Sequence, residues 1–103
     1  MTPDSTRPLI IVLPAAEAEI TEAFRWYENK NEGLGSEFMR ALDATLSTVK
    51  RSPTLFAVIH KQVRRAMLRR FPYGVFYLYE DDQIIVIACF HASRDPQKWQ
   101  DRA

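Results

Sequence analysis

A chain of 103 residues with 47 % hydrophobic and 26 % charged side chains is long enough for one hydrophobic core, too short for two, and far from the polar, aromatic-poor range of disordered chains. Its single cysteine, Cys89, excludes an internal disulfide and any cysteine-based zinc site built within one chain. The formal net charge of +1 conceals an asymmetry: residues 1–49 hold eight acids and four bases, residues 50–70 seven bases and no acid, and residues 71–103 three bases and five acids. A positive field is therefore expected in one stretch of the chain.

Residues 1–7, MTPDSTR, show no apolar periodicity and are expected to be a flexible N-terminus ahead of a single domain over residues 8–103. The apolar run Leu9 to Leu13 is too short for a membrane span and lacks the basic flank and cleavage site of a signal peptide, so a cytoplasmic location without membrane contact is expected. PLIIVL, bounded by prolines, predicts a strand from Pro8 to Leu13. A helix follows from Pro14 to about Lys30, because Ala16, Ile20, Ala23, Phe24 and Tyr27 recur at helical spacing and Glu17, Glu19 and Glu22 suit its positive end.

NEGLG interrupts that pattern, and Ser36 is expected to cap a second helix carrying Phe38, Leu42, Leu46 and Val49, with Lys50 and Arg51 at its negative end and Pro53 beyond. VRRAMLRRF from Val63 predicts a strand with imperfect alternation, and GVFYLYE and QIIVIACF predict two more, joined by the acidic turn EDDQ. Asp95 and Pro96 can start one helical turn ending near Trp99. The expected fold is α+β, a small, mostly antiparallel four-stranded sheet packed against an N-terminal helical hairpin. Its order is β-α-α-β-β-β, with the first strand at one edge and a short C-terminal helical turn.

Few constellations in this sequence carry chemistry. Cys89 and His91 share one face of a strand, yet the thiol lies in a run that reads as core, where a free cysteine is usually an inert small hydrophobe. Two distant histidines, His60 and His91, with scattered carboxylates do not make a metal site, and no Gly-rich loop or G-x-S-x-G elbow is present. No metal and no cofactor are expected.

What remains is the basic cluster Lys61, Arg64, Arg65, Arg69 and Arg70, with Tyr73 among nearby aromatics, and His91 and Arg94 leaving the last strand together. Arginine forks bind phosphates or carboxylates, and aromatic rings stack on bases. The plainer alternative is that the arginines discourage pairing at a sheet edge while the tyrosines line the core. The two readings balance for Arg64 and Arg70, and binding is favoured for Arg65 and Arg69.

AFRWYE, GLGSEFMRALD, VRRAMLRRFPYGVFYLYE and VIACFHASRDPQKW, in this order and spacing, resemble the RelE/ParE superfamily of toxins from type II toxin-antitoxin modules, particularly its ParE-like branch. The resemblance implies a cognate antitoxin, expected to be a ribbon-helix-helix protein of the ParD kind, through which alone the chain would meet DNA. It also implies growth inhibition by binding DNA gyrase without hydrolysis. Lys61, Arg64, Arg65, Arg69, Arg70, Tyr73, His91 and Arg94 are then the expected contacts for target or antitoxin. The alternatives within the superfamily are a ribosome-dependent, metal-independent mRNA endonuclease using Arg65, Arg69, His91 and Arg94, or an inactive toxin that serves as the antitoxin's partner in repression. Gly74 stands where the RelE pattern has an arginine, which turns the expectation away from the nuclease.

Overall fold

A computed structural model describes residues 8–103, and the segment 1–7 expected to be flexible lies outside the described residues. Pro14, whose fixed φ and missing N–H suit a first helical turn, opens helix α1 (Pro14–Lys30), which buries Ala16, Ile20, Ala23 and Tyr27 along one stripe. Helix α2 (Leu34–Arg51) buries Gly35, Phe38, Leu42, Thr45 and Val49. Ser36 does not cap it. Gly33 takes the N-cap position at φ 89°, and the carboxylate of Glu28 on α1 accepts the N–H of Gly33 at 3.0 Å and that of Gly35 at 2.9 Å. One acidic side chain from the preceding helix thus satisfies two main-chain donors that helix geometry leaves without partners, and α2 starts ahead of Ser36, which lies in its first turn.

The sheet has five strands instead of the four expected. These are β1 (Leu9–Val12), β2 (Val58–His60), β3 (Val63–Met67), β4 (Tyr73–Glu80) and β5 (Gln83–His91), in the spatial order β1-β5-β4-β3-β2. The additional strand, β2, is three residues long, too short for alternation to register as a pattern. It turns into β3 through Lys61 at φ 52°. β3 stops at Met67, short of the expected Phe71, because Arg70 adopts φ 67° and the Leu68 N–H donates to the Tyr73 carbonyl at 2.9 Å, closing a tight connection to β4. β1 occupies an edge, as its sequence predicts, and pairs in parallel with β5, while the other neighbours are antiparallel.

Strand alternation divides the core between two faces. Ala66, Val75, Tyr77, Val86 and Cys89 pack beneath the helical hairpin. Val63, Phe76, Ile87, Ala88 and Phe90 form a second cluster on the opposite face. There Trp99, from the short helix α3 (Gln97–Gln100), stacks on Phe76 with ring centroids 4.5 Å apart. A bulge makes this possible: Phe76 pairs with Ala88 but Tyr77 pairs with Val86, so one extra residue, Ile87, is accommodated in β5 and both Ile87 and Ala88 join the second cluster.

Candidate functional site

Three of the eight candidate residues line one cleft, two lie on a groove, and three join neither. Tyr73 opens β4 and His91 closes β5, and the antiparallel register sets them side by side, with ring centroids 5.3 Å apart and planes at 80°. Together with Arg94 they line a cleft of about 500 Å³ between α1 and the end of the sheet, whose other walls include Glu19, Glu22 and Trp26. Tyr73 is anchored by edge contacts to Tyr27 and Phe38 at 5.9 and 5.3 Å. Burial is the main influence raising its hydroxyl pKa above the usual tyrosine value, and Arg94 opposes the shift. The phenol therefore stays protonated and acts in the cleft as a neutral donor.

The imidazole of His91 is oriented by the turn that follows it. Its Nδ1 accepts the main-chain N–H of Ser93 at 3.0 Å and lies 2.8 Å from the Ser93 hydroxyl. Because a main-chain N–H only donates, the neutral ring carries its proton on Nε2. In this geometry Ser93 takes up Nδ1, the acceptor nitrogen of that tautomer. Arg94 lies 3.6 Å from Glu22 and 5.2 Å above the Phe90 ring. With both partners of the ion pair well exposed, about 0–1 kcal/mol holds the guanidinium there, so it is readily redirected to an incoming anionic group.

Arg69 and Arg70 lie elsewhere, on an open groove of about 720 Å³ between α2 and the end of β3. Its floor is the small-residue side of α2, Ala41, Ala44, Thr45 and Thr48, its apolar walls are Phe56 and Met67, and its rim carries Arg40 with Arg69 and Arg70. Arg70 contacts Glu37 at 3.1 Å, a largely exposed pair. Arg40 escapes sequence reasoning because it is a lone base on the polar side of a helix, and only the tertiary fold sets it against residues 69 and 70.

The remaining candidates join neither site. Arg64 donates to the main-chain carbonyls of Phe56 at 2.6 Å and Thr54 at 3.3 Å, pinning the segment that leads into β2. Lys61 is exposed in the β2–β3 turn. Arg65 pairs with Phe76 and so lies on the sheet face opposite Tyr73 and His91. Its stem fills the space over Gly74, where an added Cβ would lie 3.2 Å from Arg65 Cγ and 3.0 Å from Met67 Sδ. Cys89 is buried, with its thiol pKa pushed up to about 12 chiefly by burial and further by Glu19, so it supplies no nucleophile to a dyad with His91. Among the described residues no cluster of three or more His, Cys, Asp or Glu side chains converges as a metal site would require, and no helix is long and apolar enough to cross a membrane.

Sequence reasoning also missed a pair. Glu19, assigned to the helix dipole, instead accepts both Nη groups of Arg102, at 3.1 and 2.7 Å, and the Cys89 N–H at 3.0 Å. The two residues are 83 positions apart, and nothing local in the sequence links them.

A helical hairpin on one face of a mixed five-stranded sheet, with a polar cleft at its end and a cationic groove beside α2, defines a small α+β protein. Residues 10–96 match the family model described as the ParE toxin of the type II toxin-antitoxin system parDE. The chain belongs to the ParE toxin family. A solved structure of the chromosomal ParDE TA system from P. aeruginosa superposes with a TM-score of 0.60 at 14 % identity, covering 80 % of this chain and 92 % of that one, a likeness of fold. Comparison with curated proteins gives no match.

Proposed function

We propose that the protein arrests growth by binding an essential target through the cleft of Tyr73, His91 and Arg94, with DNA gyrase the target its family implies, and that a cognate antitoxin of the ParD kind neutralises it in the cytoplasm. DNA contact then comes only through the antitoxin. The groove edged by Arg40, Arg69 and Arg70 suits an antitoxin segment that is apolar on one side and acidic at its margins, because the floor is small and uncharged while the rim is cationic.

The observation that carries binding over hydrolysis is the separation of the cations. Metal-free cleavage of RNA needs a base for the 2′-hydroxyl, an acid for the leaving oxygen and positive charge at the phosphate. Arg65 lies across the sheet and Arg69 on the groove, so the cleft holds one guanidinium. The Nδ1 of His91 is occupied by Ser93. The test is induction of the protein without antitoxin, with and without Arg94→Ala, following plasmid supercoiling and transcript integrity in the same cells. Loss of supercoiling that depends on Arg94, with transcripts intact, is the expected result. Codon-phased transcript cuts with normal supercoiling would replace this reading by the endonuclease, and unimpaired growth at full expression would replace it by a co-repressor role.

A further inference from the structure

β1 pairs with only the first four residues of β5, Gln83–Val86, and β5 continues to His91. Along the stretch that β1 does not reach, side chains take the place of a neighbouring strand. The Ile87 carbonyl accepts Arg102 Nη1 at 3.0 Å, and the Cys89 N–H donates to Glu19 Oε1 at 3.0 Å. Glu19 and Arg102 are themselves joined as a two-point fork, their side chains 16 % and 30 % exposed, and the guanidinium lies 5.0 Å from the centre of the Phe90 ring.

We propose that residues 97–102 form a releasable strap across this edge of β5, closed by the Glu19–Arg102 clasp and seated by Trp99. α3 has four residues, too few to hold a helix by its own hydrogen bonds, so its order depends on two anchors. One is Trp99 stacked on Phe76; the other is the clasp. Opening leaves the largely buried Glu19 carboxylate and the Ile87 carbonyl without Arg102, which keeps the open state a minor one. It disturbs no ladder bond of the sheet, so it requires no global unfolding. Glu19 also lines the cleft, and release of the strap therefore changes one wall of the surface assigned to the target. That last consequence rests on the toxin reading, whereas the strap itself does not.

Residue-resolved amide hydrogen exchange on the full chain tests the strap directly. The Trp99 and Gln100 amides, both bonded to the Pro96 carbonyl, should exchange together and faster than the Val75–Tyr77 amides of β4. Arg102→Ala should speed both by about tenfold or more, the factor lost with one charge-assisted interaction, and leave the β4 amides unchanged. Arg102→Lys keeps the charge without the fork and should fall between, and it carries the test if the alanine variant does not fold. Exchange of Trp99 and Gln100 at the rate of β4 in both wild type and variant, or an equal acceleration of every amide, would overturn the proposal. Since exchange is read without any target or antitoxin, its outcome is independent of whether the cleft binds gyrase.

Discussion

Gly35→Ala sets two effects of opposite sign against each other where α2 packs tightly against α1. In isolation the change favours a helix by about 0.5–1 kcal/mol, because alanine loses less backbone freedom on folding than glycine. In this fold the new Cβ would lie 2.9 Å from the Phe24 carbonyl oxygen, 2.9 Å from Glu28 Oε1 and 3.0 Å from Phe24 Cδ2. The carbonyl contact is with main chain and no rotamer relieves it, so α2 must move away by a few tenths of an ångström, an overpacking cost of about 1–3 kcal/mol. Glu28 must withdraw as well, weakening the hydrogen bonds that cap α2, each of a kind worth about 1.5–3 kcal/mol when charge-assisted. A net loss of about 2–4 kcal/mol follows, which for a domain of this size lowers Tm by roughly 10–20 °C. Thermal and urea unfolding followed by circular dichroism measure it. Ser36→Ala is the control: as a residue within the first turn it should change stability little, whereas a true N-cap serine would cost about 1 kcal/mol. A Gly35→Ala chain as stable as wild type, or more so, would refute the account of the hairpin contact.

Four further expectations rest on particular side chains. Burial holds the Cys89 thiol well above its usual 9.0, at about 12, so the folded chain should resist iodoacetamide at neutral pH and react fully once unfolded. Because the folded state keeps that proton more tightly than the unfolded one, stability should be level below pH 9 and fall between 9 and 12. Tyr27, Tyr73 and Tyr77, also raised by burial, act in the same direction, and Tm measured across alkaline pH checks the sign. Arg69→Glu with Arg40→Glu should weaken antitoxin binding at low salt while leaving supercoiling inhibition in place, and Arg94→Ala should do the reverse; both losses appearing in each variant would defeat the assignment of two separate surfaces. Gly74→Arg restores a cation to a position where an RNA-cutting relative is expected to have one, but its side chain must displace Met67 and Arg65 on the face away from His91, so transcripts should stay intact.

The helices and the two long strands were legible because their apolar periods are long and their ends carry prolines, glycines and charges. Three features were hidden for separate physical reasons. β2 is too short to show a period. The cap of α2 comes from Glu28, a side chain in the preceding helix, while Ser36 offered a plausible local substitute. The parallel pairing of β1 with β5 brings together segments more than seventy residues apart, and an edge strand with an all-apolar sequence is equally compatible with either direction.

The site was legible as a set of residues but not as an arrangement. The positive charge of residues 50–70 is dense along the chain and dispersed in space, because consecutive residues of a strand point to opposite faces. Arg64 turns toward the hairpin side and is spent on main-chain carbonyls, Arg65 packs over Gly74 on the far side, and Arg69 and Arg70 pass through a turn to the edge of α2. The cleft draws its residues from the acidic final third of the chain, at the ends of β4 and β5, and from the acidic face of α1. One turn joins the two surfaces. Arg69 and Arg70 enter it on the groove side, Phe71 packs within it at 4.9 Å from Tyr27, and Tyr73 leaves it on the cleft side. The Ala92 N–H, donating to the Pro72 carbonyl at 2.7 Å, ties the same turn to the segment that carries His91 and Arg94. A partner seated in the groove, as proposed for the antitoxin, would therefore contact the connection that positions Tyr73 and His91, and on that reading it need not fill the cleft to disturb it.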